Sequence, residues 1–204
     1  MRTKTPLYSE KMLEAAGRLF GTRRFHEVRM EDVASEADVS KGTLYRYFRD
    51  KDEMYLALLA RASQQFVTEL RARTEAAFDA RAKLIAVVEA IISFFDRQPH
   101  LFDLIQRAEI RRELGAAFPW QQARDETLRI VQDIFDQGRT TRQFAVRRPE
   151  FAALMLLGGL RAVIRFSLQP RAAHLAADLV DDFLCGAAAT AADHVSAATL
   201  PMAW

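Results

Sequence analysis

The segment Asp38-Val39-Ser40-Lys41-Gly42-Thr43-Leu44-Tyr45-Arg46-Tyr47-Phe48 decides the fold. Leu44 and Phe48 are four residues apart, so on a helix both face the same way, about 40° from each other. Gly42, Thr43 and Arg46 fall on the opposite side, with Tyr45 and Tyr47 flanking it. Ser40 is placed to cap this helix, and Asp38-Val39-Ser40 is a tight connection to the residues before it. There Met30, Val33, Ala34 and Ala37 mark another short helix. Two short helices with apolar inner faces, joined by a turn of three or four residues, make a helix-turn-helix.

Outward from this segment the chain reads as helix throughout. It has 204 residues, half of them hydrophobic, with 8 Gly and 6 Pro, too little turn chemistry for many short strands. No proline lies between Pro6 and Pro99, and the later ones, Pro119, Pro149, Pro170 and Pro201, punctuate the remaining helices. Met12, Leu13, Ala16, Leu19 and Phe20 give a first helix, with Ser9 as its expected cap. Asp50 and Glu53 open a fourth, expected to run unbroken to about Phe78. Further helices are expected from about Leu84 to Asp96, Leu101 to Glu113, Trp120 to Phe135, Glu150 to Ser167 and Ala172 to Ala192, with a frayed tail after Ala191. The fold class is all-α.

Charge is balanced overall and uneven in place. The net charge is +2, yet residues 1–51 hold 11 Lys+Arg against 8 Asp+Glu, and four of the five lysines are Lys4, Lys11, Lys41 and Lys51. A helix of about 12 Å presenting Lys41, Gly42 and Thr43 suits a major groove of similar width. Lys41 can donate to guanine, Gly42 admits the backbone, and Thr43 can reach a base edge or phosphate. Tyr45 can touch a thymine methyl or a phosphate, Tyr47 can donate to the backbone, and Lys51 can clamp a phosphate at a helix N-terminus. Arg46 reads equally as a solvated residue.

Ser40-Lys41-Gly42-Thr43-Leu44-Tyr45-Arg46-Tyr47-Phe48, with Lys51, Glu53, Leu13-Glu14-Ala15-Ala16, Leu19-Phe20, Phe25 and Val33-Ala34, resembles the DNA-binding domain of TetR-family transcriptional regulators over residues 9–60. Three positions depart from the family pattern. Arg24 and Asp38 stand where glycine is usual, and Arg29 where Ser or Thr starts helix two. Asp38 tolerates left-handed backbone. Arg29 either reaches a phosphate or is a surface arginine.

The resemblance implies an N-terminal helix-turn-helix DNA-binding domain over residues 6–66 and a helical effector-binding and dimerisation domain over 67–204. Phe66, Phe94, Phe95, Phe102 and Trp120 are the expected lining of a pocket for a small, largely apolar effector. Gly158, Gly159 and Ala162, with a stripe of Leu175, Leu179, Phe183, Leu184 and Ala187, imply a homodimer through the last two helices. Arg161 and Arg165 are expected to pair with Asp178, Asp181 or Asp182, or to face an anionic ligand. The implied function is a sequence-specific repressor released by its effector from a palindromic operator in double-stranded DNA.

The rival readings are a helical enzyme or ligand carrier with a vestigial DNA-binding segment, and an architectural DNA-binding protein without an effector. The four histidines are scattered, no nucleophile or phosphate-loop motif appears, and no cofactor or metal is expected. His174 and Asp178 read as an exposed helical pair. Cys185 reads as a buried, inert thiol, and one cysteine fits a reducing compartment. The apolar run from Phe151 is stopped by Arg161, too soon to cross a bilayer, so the expected location is the cytoplasm with no membrane contact.

Overall fold

A computed structural model of the protein describes residues 6–102, 105, 119–166 and 170–185. Its helices are α1 (Pro6–Thr22), α2 (Met30–Glu36), α3 (Lys41–Tyr47), α4 (Lys51–Ala76), α5 (Ala80–Arg97), α6 (Pro119–Thr140), α7 (Pro149–Phe166) and α8 (Leu175–Cys185). No strand occurs among the described residues. The expected helix after Leu101 is described only in part, residues 99–102 and 105 being helical, and the chain after Cys185 lies outside the described residues.

Local chemistry explains where the helices begin. The first starts at Pro6 rather than at a Ser9 cap, since proline suits the opening position where its missing N–H is no loss. Asp50 caps α4 by accepting from the Glu53 N–H, and the Glu53 carboxylate accepts the Arg49 N–H at 2.7 Å, a capping box displaced by one residue. Asp79 caps α5 in the same way, and the Gln143 side chain accepts from the Ala80 N–H at 3.1 Å. That second bond ties the end of α6 to the start of α5. The α4 helix stops at Ala76, two residues short of expectation, because Asp79 opens the next helix and leaves Phe78 exposed.

With 26 residues, α4 is about 39 Å long and runs along both ends of one continuous core. Its first half presents Met54, Tyr55 and Leu58 toward α1, whose Met12, Leu13, Ala16 and Phe20 are buried. Val33, Ala34, Leu44 and Phe48 from α2, α3 and the α3 end close this end of the core. The second half presents Phe66 and Leu70 toward α5 and α6. Polar positions on the buried face are satisfied locally: the hydroxyls of Ser63 and Thr74 donate to carbonyls four residues back.

Long-range ion pairs hold the outer helices. Arg81 on α5 grips Asp181 on α8 with two bonds, 2.7 and 2.6 Å. Arg171 donates to both oxygens of Asp96 at 3.0 Å and to the Val163 and Ile164 carbonyls at the end of α7. On α8 it is Ala176 and Val180 that are buried, while Leu179, Phe183 and Leu184 are half-buried against the same core and Leu175 is half-buried. That part of the stripe expected to face a partner is therefore partly used within the chain, and Ala187 lies outside the described residues.

Candidate nucleic-acid interface and effector cavity

The turn between α2 and α3 is built on Asp38, whose φ of 50° is the left-handed conformation that the family pattern gives to glycine. Its N–H donates to the Ser35 carbonyl at 3.0 Å and the Val39 N–H to the Ala34 carbonyl at 2.9 Å, closing the end of α2. The Ser40 hydroxyl then caps α3, accepting from the Thr43 N–H at 3.1 Å and lying 2.8 Å from the Thr43 hydroxyl. Leu44 is fully buried, which fixes the roll of the seven-residue helix. Lys41, Gly42, Tyr45 and Arg46 are left exposed and Thr43 half-buried.

Tyr47 and Lys51 behave differently from their sequence reading, and Lys41 and Arg29, though exposed, have partners that it did not give. Tyr47 does not flank the outer face: it is 8% exposed, buried with Leu44 and Phe48, with the Arg46 guanidinium 5.9 Å from its ring. Lys51 does not point outward to a phosphate. Its ammonium donates to the carbonyls of Phe25 at 2.7 Å and Val28 at 3.0 Å and sits 4.3 Å from the Phe25 ring centroid, stapling the α1–α2 turn to the start of α4. Lys41 is exposed but joined to Glu31 at 2.5 Å. That bond holds the Glu31 carboxyl below its ordinary range and raises the lysine. Arg29 is the N-cap of α2, and its N–H donates to Asp32 at 3.0 Å, so an acidic residue three positions on compensates for the missing Ser or Thr. Its side chain is exposed.

Replacing Lys51 by Met separates the two roles. Two hydrogen bonds from a charged donor are lost, so the expected result is a loss of about 2 kcal/mol in urea unfolding. The slope of log K for DNA against log salt should stay unchanged. A phosphate clamp would instead lower that slope by about 0.9.

The second half of the chain encloses a cavity of about 420 Å³. Of the five aromatics named from the sequence, Phe66, Phe95, Phe102 and Trp120 line it. Phe94 does not: it stands behind the wall, its ring stacked 5.7 Å from Trp120 and 4.9 Å from Phe66. Sequence reading sought aromatics and missed the aliphatic wall from α7, Leu154, Leu157, Leu160 and Ile164, and the polar residues Arg124, Asp125 and Thr127 of α6. The signal was there in the three- and four-residue spacing of those α7 residues. Arg161 also lines the cavity, whereas one of its expected partners, Asp181, is held by Arg81. Cys185 is exposed rather than buried.

A capped recognition-type helix, docked on one end of the core and joined by one long helix to a bundle with an apolar cavity, defines a helix-turn-helix DNA-binding domain carried on a ligand-sized helical body. Residues 12–58, from α1 to the first turns of α4, match the family described as bacterial regulatory proteins, tetR family. The HTH-type transcriptional activator FasR of Mycolicibacterium smegmatis is 36% identical over 95 residues, covering 47% of this chain and 43% of the relative. The chain spans 43 to 63% of the length of the first curated relatives that it matches.

Two solved structures share the fold over most of the chain. One is the transcriptional regulator FadR of Bacillus subtilis in complex with stearoyl-CoA, with a TM-score of 0.69 and 18% identity, covering 86% of this chain and 97% of its own. The other is a transcriptional regulator from Saccharomonospora viridis in complex with choline, with a TM-score of 0.74 and 21% identity, covering 88% and 96%. Among the described residues no helix is long and apolar enough to cross a membrane.

Proposed function

We propose that the chain is a ligand-responsive, sequence-specific regulator of transcription: a DNA-binding unit over residues 6–66 and an effector-binding, dimerising unit over 67–204. The observation that carries this reading is α3. Its inner side is locked by Leu44 and the Ser40 cap, and its outer side keeps Lys41, Gly42, Tyr45 and Arg46 open. A helical enzyme or carrier has use for the cavity but none for such a face. Thr43 is the further base or phosphate contact, and Arg29 lies beside them at the start of α2.

The partner we infer is a second copy. Away from the cavity α7 exposes Phe151, Met155 and Phe166, with Gly159 and Ala162 beside them permitting close approach of another helix, and Leu154 and Gly158 stand where this exposed surface meets the cavity edge. A two-fold dimer would set two α3 helices about 34–36 Å apart, matching successive major grooves of a palindromic operator. The effector is a small molecule with apolar character, which the cavity lining supports, as do the relatives named for fatty acid regulation and the stearoyl-CoA complex of one of them. Release of the operator as a repressor requires the effector to bind the DNA-free arrangement more tightly than the bound one. FasR is named an activator, so the sign of control is part of the test.

The experiment is titration of the purified protein with DNA from upstream of its own gene at several salt concentrations. Lys41→Ala and Thr43→Ala are each expected to weaken specific binding about tenfold, in line with the loss of one base or phosphate contact. Specific binding unchanged in both variants overturns the assignment of α3. A species that sediments as a monomer at micromolar concentration overturns the dimer.

A further inference from the structure

A carboxylate stands beside the recognition helix. Met30, Val33 and Ala34 of α2 are buried, and Glu31, about 160° around the helix from Val33, is exposed. Capping of α2 falls to its neighbour, since Asp32 accepts the Arg29 N–H at 3.0 Å. Glu31 reaches across to α3 instead. One of its carboxylate oxygens lies 2.5 Å from the Lys41 Nζ, which also stands 5.8 Å from the centre of the Tyr45 ring. The Ser40 cap and the buried Leu44 fix the backbone of α3 beneath the lysine. The two side chains are 62% and 50% exposed, so the surface presents a donor and an acceptor side by side. An exposed ion pair adds little to stability, and its use is to be sought in what it meets.

The same juxtaposition occurs on the major-groove edge of a G·C base pair. Guanine O6 and cytosine N4 are joined within the pair at about 2.9 Å, while O6 keeps a lone pair and N4 an N–H facing the groove. An ammonium beside a carboxylate matches that edge. The Lys41 Nζ donates to O6 and the cytosine N4–H donates to Glu31; with three N–H groups, the ammonium keeps one for Glu31 and one for guanine N7. Adenine or cytosine in place of the guanine sets an amine against the ammonium. Thymine there offers one acceptor and a methyl group instead of two acceptors.

From this arrangement we propose that Glu31 and Lys41 read one G·C base pair together, the lysine on the guanine and the glutamate on the cytosine, with Glu31 holding Lys41 at the base edge and off the phosphates. The proposal rests on reading α3 as the recognition helix. It makes Glu31 a specificity-determining residue although its charge opposes that of DNA.

The test is selection of random-sequence duplexes by the full chain, followed by titration of the selected duplex carrying each of the four base pairs at each position of a half-site. The variants are Glu31→Ala, Lys41→Ala, Thr43→Ala and, as a control, Glu36→Ala. Glu36 lies on the same helix with the same charge and is paired with Arg18 of α1 at 2.8 Å. The parent is expected to prefer G·C by about tenfold or more at the position that Lys41→Ala relaxes, the scale of one good base contact. Glu31→Ala should cut that preference to under about threefold and leave the other positions unchanged, whereas Glu36→Ala should alter none. The freed lysine should then reach a phosphate, steepening the fall of log K with log salt by about 0.9 per subunit. In a Lys41→Ala background the salt dependence should no longer respond to Glu31→Ala. A Glu31→Ala protein that keeps the G·C preference, or loses preference at all positions alike, overturns the paired reading. Steeper salt dependence with base preference intact assigns Glu31 to shielding alone and overturns it too, as does a preference for any other base pair at the position that Lys41 controls. If Lys41→Ala and Thr43→Ala both leave selection unchanged, it is the reading of α3 that fails.

Discussion

Replacing Gly138 by Ala is expected to destabilise the protein by about 2 kcal/mol, although alanine is the better helix former by about 1 kcal/mol. Gly138 is buried in the last turns of α6, directly beneath the side chain of Phe144. A Cβ there would lie 2.9 Å from the ring Cγ and closer still to Cδ2 and Cε2. The ring also packs edge-on against Phe135 of the same helix, centroids 6.0 Å apart, and is held through its own backbone, since the N–H groups of Gln143 and Phe144 both donate to the Gly138 carbonyl. The turn that brings it back passes through Arg142 at a φ of 59°. A ring so held cannot slide aside without giving up its burial, worth up to about 3 kcal/mol for a phenylalanine. The measurement is urea unfolding of Gly138→Ala, Phe144→Ala and the double variant. On the Phe144→Ala background the glycine replacement should change sign and stabilise by about 1 kcal/mol. A destabilising effect that persists without the ring would show that the glycine serves another purpose.

That glycine illustrates which parts of this molecule are legible in the chain and which are not. The helices announce themselves through spacing, proline positions and caps, since these act within four residues: Ser40 with Thr43, Asp50 with Glu53, Asp79 with Ala82. The roll of α3 is also local. Tyr47, three residues after Leu44, lies only about 60° from it on a helix, so its burial was available from the same counting that placed Leu44 and Phe48. The fate of Lys51 was not. Its acceptors are carbonyls 26 and 23 residues upstream, and no pattern in the side chains says which backbone groups a turn leaves open. The same holds for Asp181, claimed from 100 residues away by Arg81, and for Gly138, whose reason is a ring six residues on that returns only because of a left-handed turn. In the cavity the aromatics were found because they are large, whereas Arg124 and Asp125 look like any surface pair until α6 and α7 are set side by side.

Acidification should expose a second buried commitment. His100 lies where the helical turn after Pro99 meets α4: the Tyr55 hydroxyl donates to its carbonyl at 3.2 Å, and the two rings are 6.1 Å apart. Tyr55 in turn packs on Phe20 and Phe25 of the DNA-binding domain, at 4.6 and 4.9 Å, and Lys51 covers the far side of that cluster. Among the described residues neither ring nitrogen of His100 has a hydrogen-bond partner, and burial pushes its pKa down from 6.5 to about 4. The folded state thus favours neutral imidazole, and the unfolded chain takes up the proton first. Stability is complete above pH 6.5 and declines as the pH falls toward 4, by about 2 kcal/mol at pH 5. Carboxylates held below their ordinary range, such as Glu31 and Asp181, add their own loss only further down. Urea unfolding at pH 7.5, 6.5 and 5 isolates the histidine. His100→Phe, which keeps a ring against Tyr55, should remove most of the decline in that interval. A His100→Phe protein that loses as much stability by pH 5 as the parent would place the sensitive group elsewhere. Because this ring is the neighbour of Leu101 and Phe102, and Phe102 lines the cavity, the same comparison bears on how the two halves are joined. A charge introduced at His100 strains the contact between the cavity wall and Tyr55, so DNA affinity should fall with pH alongside stability in the parent and not in the variant.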